Sequence, residues 1–336
     1  MMDDISGLIK RAAEYKNVFV QTHNFPDHDA LAAAYGLQSL LENYGVKSRI
    51  IYGGDITRAS ITNMIEALGI NAESVCGIKD TAGDAVIMVD GCRGNNNMKE
   101  LKNASLIGVI DHHDTSHAEE IAFCDIRPRY GSCSTIIFTY FERLGVKITR
   151  ETATALLIGL CVDTAILMRN IVEDDVRAYF HLFSLADNSF VQSMVRNYIE
   201  TRDLAYYKQA IENIKIEGDT AFCYLKDGCS QNLLGIMADF FLALEEVTFV
   251  MLCAKNDGKV IFSLRSENEK YNAADMIQAL LKGRGFGGGH HNMAGGIMNE
   301  AGEFDENLMF GNLKDLIEAA NELACSRKSP SGLSAF

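Results

Sequence analysis

The chain is short of positive charge. Its 336 residues carry 31 Lys and Arg against 45 Asp and Glu, for a formal net charge of −14. A protein that tracks long nucleic acid usually presents a basic face, because neutralised phosphates drive that affinity. The balance points away from a long nucleic-acid track and towards a small anionic substrate met by a few local basic groups. No apolar run approaches the ~20 residues that cross a bilayer, so no membrane partner is expected. The opening residues, MMDDISGLIKRAAEYKN, lack the basic start, apolar stretch and small-residue cleavage site of a secretory signal. The nine cysteines are odd in number and form no CxxC pair. That argues against a disulfide frame and for thiols in a reducing compartment, so a cytoplasmic location is expected. No Walker A motif, HExxH pair or internal repeat is present.

What remains is an alternating pattern in a chain long enough for two domains. Val18–His23, Val46–Tyr52, Asp84–Asp90 and Ser105–Asp111 read as strands. Asp29–Tyr44, Ile61–Leu68, Ser134–Leu144 and Thr152–Leu160 have helical spacing. Strands alternating with helices imply an α/β fold with a doubly wound, mainly parallel sheet. The pattern changes near residue 217. Val247–Ala254 and Lys259–Leu264 flank Asn256-Asp257-Gly258, a hairpin signal, and a helix at Ala273–Lys282 runs into a glycine cluster. We expect a first domain over 1–187, a helical connector over 188–216, a smaller α+β domain over 217–325 and a flexible tail over 326–336.

Three of the predicted strands end in residues that ligate metals. The first leads to His23, Asp27 and Asp29, the next to Asp90, and the last to Asp111, His112 and His113. Asp163 follows the helical run Thr152–Leu160. Open α/β sheets bind ligands beyond the carboxyl ends of their strands. One aspartate after a strand is usually a turn or a helix cap, and Asp29 alone would be read as a cap. Charged residues after apolar strands three times over favour metal. Mixed imidazole and carboxylate ligands without thiolate suit manganese, iron or cobalt. Asp90 could bridge two ions, and a pair about 3.5–4 Å apart is the usual clamp for phosphoryl chemistry, activating a water between them.

These residues resemble a known family. His23-x-x-Pro26-Asp27-x-Asp29-Ala30, Asp90, Asp111-His112-His113 and Asp163-Thr164 are similar to the motifs of the DHH phosphoesterases. Gly287-Gly288-Gly289-His290 with Ala294-Gly295 is similar to the signature of the DHH-associated C-terminal domain. The resemblance implies two Mn2+ ions, with Mg2+, Co2+ or Fe2+ as substitutes. His23, Asp27 and Asp90 would hold one ion; Asp29, Asp90, His112 and Asp163 would hold the other. Asp111 would orient a histidine, and His113 would face the substrate phosphate or leaving group. Arg265, Ser266 and the turn at Gly288, Gly289 and His290 would bind the substrate's terminal phosphate and base. Chains of this size resemble the nanoRNase/pAp phosphatases, which act on very short oligoribonucleotides and 3′-phosphoadenosine 5′-phosphate (pAp). A c-di-AMP or pApA phosphodiesterase is the nearest alternative, and a catalytically silent nucleotide sensor the next. Two stretches depart from the common pattern: Ala165-Ile166-Leu167, where a glycine is frequent at the first position, and Asp114-Thr115-Ser116-His117.

Overall fold

The computed structural model describes residues 4–79, 81–93, 98–113 and 121–327. The stretch 114–117 and the tail beyond residue 327 lie outside the described residues. The chain divides into two compact units, Met1–Tyr198 and Ile199–Phe336.

The first unit runs α1 (Ile5–Ala12), β1 (Val18–Gln21), α2 (His28–Glu42), β2 (Ser48–Tyr52), α3 (Ala59–Leu68), β3 (Ala72–Ser74), β4 (Ala85–Val89), β5 (Ser105–Asp111), β6 (Cys124–Ile126), α4 (Cys133–Leu144), α5 (Arg150–Asp163), α6 (Glu173–Leu185) and α7 (Asn188–Arg196). Its six strands form a wholly parallel sheet in the order β3-β2-β1-β4-β5-β6. Both faces are covered, so the strands read as nearly unbroken apolar runs. Alternate residues still part to opposite sides. Val18, Val20, Ile50, Ile87 and Val89 join the helices in one large core. Phe19, Ile51 and Val86 meet Val75 and Leu101 on the other face. Helix α2 is buried almost all round, as a helix apolar on every side must be. The strand order turns back between β1 and β4, and such a switch point opens a crevice at the carboxyl edge.

Of the boundaries that differ from the sequence reading, three bear on the site. Strand β1 stops at Gln21; the Thr22 N–H still donates to the Ile51 carbonyl at 3.1 Å, and His23 lies beyond it at the sheet edge. Helix α2 starts at His28 and is capped by Asp27, not Asp29: Asp27 Oδ1 accepts from the Ala30 N–H at 3.0 Å. Helix α5 continues one turn past Leu160, which makes Asp163 its last residue.

The second unit runs α8 (Leu204–Asn213), β7 (Lys215–Glu217), β8 (Thr220–Leu225), α9 (Gln231–Leu242), β9 (Phe249–Asn256), β10 (Lys259–Ser266), α10 (Ala273–Leu281), β11 (Gly285–Gly289), β12 (Met293–Met298) and α11 (Glu306–Arg327). The order is β11-β12-β10-β9-β8-β7, with β8 and β9 parallel and the other pairs antiparallel. Asn256 pairs with Lys259 across a two-residue turn, in which Asp257 and Gly258 take φ of 45° and 79°. A two-residue hairpin turn of type I′ needs both values positive. The glycine cluster, expected as a turn, is mostly an edge strand. A Cβ on Gly287 would come within 2.8 Å of Ile277, so α10 packs directly over it. No helix among the described residues is long and apolar enough to cross a membrane.

Candidate metal centre

Five segments meet at the carboxyl edge of the parallel sheet. His23 and Asp27 follow β1, and Asp29 lies in the first turn of α2. Asp90 follows β4, Asp111 ends β5 with His112 and His113 behind it, and Asp163 ends α5. Their donor atoms gather in sets lying within 4.8 Å: His23, Asp27 and Asp90; Asp29, His112 and Asp163; Asp90, Asp111 and His113. Asp90 stands between the first two sets and turns one oxygen to each. Its Oδ2 is 3.5 Å from His23 Nε2, and its Oδ1 is 3.4 Å from His112 Nε2. His23 Nε2 lies 3.8 Å from Asp27 Oδ2, and His112 Nε2 lies 3.4 Å from Asp163 Oδ2. The Asp90 backbone has φ of 57° and is held by its N–H donating to the Ile110 carbonyl at 2.9 Å. Backbone strain of this kind persists where surrounding bonds over-determine it.

The imidazoles are oriented from behind. His23 Nδ1 lies 2.9 Å from the Asn24 carbonyl, and His112 Nδ1 lies 3.2 Å from the Tyr130 carbonyl. A carbonyl only accepts, so each Nδ1 carries a proton and Nε2 is the ring nitrogen turned towards the carboxylates, where a cation would meet it. His113 differs. Asp111 Oδ1 accepts from its Nδ1 at 2.8 Å and from its backbone N–H at 3.1 Å. Asp111 is fully buried and His113 only partly so.

Asp29 is fixed by the start of another helix. Its Oδ2 accepts from the Cys133 N–H at 2.6 Å and its Oδ1 from the Ser134 N–H at 3.0 Å, at the positive end of α4. Gly159 on α5 makes room for this carboxylate: a Cβ there would stand 2.7 Å from Asp29 Oδ1 and 2.4 Å from Ser134 Oγ. The loop before α4 is held in turn by buried Asp175. It accepts from the Gly131 N–H at 3.0 Å, the Thr135 hydroxyl at 2.6 Å and the Val172 N–H at 2.8 Å. The departure at Ala165-Ile166-Leu167 forms a tight turn behind Asp163, with φ of 49°, 59° and 62°. The Arg169 guanidinium donates to the Asp163 carbonyl there.

Charge at this edge is unbalanced without a cation. Burial and the Asp90 charge push Asp29 up to about 7. Burial, then the Asp27, Asp29 and Asp90 charges, raise Asp163 well above its usual range. Burial opposes a charge on His112, but Asp90 and its neighbours outweigh it and push the imidazole up to about 10. Asp90 Oδ1 is buried and accepts no hydrogen bond among the described residues. A buried carboxylate oxygen left without a donor is what a bound cation would satisfy. The surrounding donors, imidazole and carboxylate, suit a hard or borderline divalent ion. Cys133 also faces the site, but burial and then Asp90 push its thiol well up, and Sγ donates to the Ile110 carbonyl. These residues fit two divalent ions.

The expected substrate residues of the second unit fall in two places. Arg265 lies on β10, a central strand, so it is no edge-strand charge. Its guanidinium is buried, and every N–H has an acceptor: Asp239 Oδ1 at 2.6 Å, Asp239 Oδ2, Ser263 Oγ, and the Leu264 and Gly235 carbonyls. Ser266 is buried beside it and bonded to Asn268. Gly288 and Gly289 end the edge strand β11, and a Cβ on Gly288 would meet nothing within 4 Å. The His290 N–H donates to the Met293 carbonyl at 2.7 Å.

Sequence reasoning missed Tyr130, Cys133, Gly159 and Asp175. A glycine inside a helical run was the available signal for Gly159, because it weakens a helix unless something must approach closely. The others act through contacts 18 to 104 residues away in sequence, which no local pattern displays.

Comparison with known proteins gives the same two units. Residues 17–160 match the DHH family, N-terminal domain, and residues 218–324 match the DHHA1 domain. An uncharacterized protein of Methanocaldococcus jannaschii is 28% identical over 304 residues, covering 90% of this chain and 62% of that protein. A probable manganese-dependent inorganic pyrophosphatase of Streptococcus thermophilus is 28% identical over 152 residues, covering 45% of this chain and 49% of that one. The chain thus spans less than two thirds of either curated relative. Among solved structures, an exopolyphosphatase-related protein from Bacteroides fragilis superposes with a TM-score of 0.77 at 17% identity, covering 95% of this chain and 97% of that one. With both domain models matched in order over most of its length, this chain belongs to the DHH family and carries a DHHA1 domain behind its DHH domain.

Proposed function

We propose that the chain is a metal-dependent phosphoesterase that hydrolyses short oligoribonucleotides or pAp. The observation that carries this is Asp90, which offers one oxygen to each of two donor sets at the switch point of the sheet. In this reading His23, Asp27 and Asp90 hold one divalent ion, and Asp29, Asp90, His112 and Asp163 hold the other. Manganese is favoured by the donor chemistry and by the likeness to the probable manganese-dependent enzyme of Streptococcus thermophilus. Such ions, when bound, supply Lewis acidity at phosphorus oxygens and lower the pKa of water. The chain's own groups do the rest. Asp111 holds the His113 proton at Nδ1, which leaves the other ring nitrogen to meet the substrate's leaving oxygen. Burial and His112 work against a charge on His113, but Asp111 and Asp90 outweigh them and raise it above its ordinary value. A raised imidazole suits a proton donor at neutral pH.

The glycine-ended strand of the DHHA1 domain supports a nucleotide over pyrophosphate. The Streptococcus thermophilus pyrophosphatase relative supports pyrophosphate and aligns with 45% of this chain, so that substrate belongs in the test. Arg265 takes the substrate's terminal phosphate in this reading by exchanging Asp239 for it. Asp239→Asn should then lower KM for 5′-phosphorylated substrates and Arg265→Ala should raise it; equal changes on a substrate lacking that phosphate contradict the exchange. The deciding experiment is product analysis with Mn2+ on pApA, pAp, c-di-AMP and pyrophosphate in parallel, with a chelator control. AMP from pApA and pAp alone is the expected result. Turnover of c-di-AMP or pyrophosphate in its place overturns the substrate assignment. Binding without chelator-sensitive turnover marks a sensor.

A further inference from the structure

Phe25 lies between His23 and Asp27 and is 58% exposed. Its φ is 56°, a region that favours glycine and that bulky side chains rarely adopt. Neighbours fix that conformation. The Phe25 N–H donates to the Gly53 carbonyl at 2.9 Å, and Asn24 Oδ1 accepts from the Lys99 N–H at 2.9 Å. The ring lies flat on Gly54: a Cβ there would stand 2.6 Å from Cε1 and 2.7 Å from Cδ1. Gly53 and Gly54 follow β2, which pairs with β1 on the side away from β4. The ring therefore stands one strand to the side of the metal centre, on the same edge. A turn residue at positive φ would be glycine, asparagine or aspartate. A packing phenylalanine would be buried. Neither role accounts for a strained, exposed aromatic held against Gly54, whereas strain collected at a ligand site does.

We propose that Phe25 is the base-stacking residue of this site: a nucleotide whose phosphate sits at the metal centre lays its base on the open side of the Phe25 ring. The proposal rests on the nucleotide-hydrolysis reading above. Phe25 is two residues from both His23 and Asp27, a chain span of at most ~7 Å, which matches the reach of a nucleotide from phosphate to base. An aromatic platform accepts any base, because every base has a π-face. Phe25 would then hold a nucleotide without selecting its sequence.

Two measurements test this. The first compares pApA with an analogue whose bases are replaced by hydrogen. Phe25→Ala should lower the wild-type preference for pApA, read as a ratio of kcat/KM values, by about 5- to 150-fold, the strength of one base–aromatic stack. Phe25→Tyr should retain the preference. The second uses the absence of tryptophan from the chain. Phe25→Trp places the chain's one tryptophan at the site, and AMP should quench its emission where ribose 5-phosphate does not. An unchanged preference in Phe25→Ala, or equal quenching by both ligands, overturns the stack while wild-type hydrolysis of pApA stands. Absence of both hydrolysis and AMP binding in the wild-type protein overturns the nucleotide reading itself, and the stack with it.

Discussion

Gly159→Ala separates the support of the metal centre from the support of the fold. The new methyl would stand 2.7 Å from Asp29 Oδ1, so that oxygen must retreat by about 0.7 Å to reach ordinary contact at 3.4 Å. The methyl would stand 2.4 Å from Ser134 Oγ as well, so both sides of the 3.0 Å bond from the Ser134 N–H to Asp29 must shift. Overpacking of this size costs about 1–3 kcal/mol. Replacing a glycine inside α5 offsets about 1 kcal/mol of that through helix propensity, so the net loss of stability is about 0–2 kcal/mol. Displacing a carboxylate that would face the proposed ions should cost more selectively, about 10- to 100-fold in Mn2+ affinity. Calorimetric titration of chelator-treated protein with Mn2+, beside thermal unfolding, reads both quantities. A folded variant with wild-type Mn2+ affinity would refute the claim that Gly159 keeps Asp29 in place.

Other substitutions and conditions give further outcomes. Asp90→Ala or His112→Ala should reduce turnover more than about 100-fold with far-UV dichroism preserved; near-wild-type rates in either contradict the ligand assignment. Ala165→Gly should stabilise the chain by about 1 kcal/mol in urea unfolding, because positive φ costs alanine about 1–2 kcal/mol and glycine little; a loss of stability contradicts the strained turn. In metal-free protein, Asp29 at about 7 lies above its unfolded value, so its contribution turns unfavourable as pH rises from about 4 to 7. His112 at about 10 contributes fully below about 6.5 and loses that contribution as pH rises through 10. Both signs agree, so the Tm of chelated protein should fall from about pH 5 to 9. The Tm gain on adding Mn2+ should be larger at the alkaline end, because binding displaces protons. A chelated Tm that rises over this range contradicts the electrostatics.

Much of the first unit was legible because its chemistry is local. Parallel strands buried on both faces leave apolar runs, and the runs at β1, β4 and β5 each break into ligand-type residues at the carboxyl end. Strand β6 was not legible: three half-buried residues, Cys124–Ile126, form no pattern. Strand β11 was hidden by its composition, since glycine disfavours strands and is present because α10 packs close. The environment of Arg265 was hidden as well. Its place on a strand could be read, but its burial against Asp239 depends on a helix 26 residues earlier. The ligand types of the centre were visible; the Asp175, Tyr130 and Gly159 supports that aim them come from tertiary contacts.

Electron paramagnetic resonance of metal-free protein titrated with Mn2+ tests the shared role of Asp90 most directly. Two ions per chain with an exchange-coupled spectrum, lost in Asp90→Ala, is the expected result. Saturation at one ion, or two ions with uncoupled six-line spectra in the wild-type protein, would contradict a centre built on one carboxylate facing two donor sets.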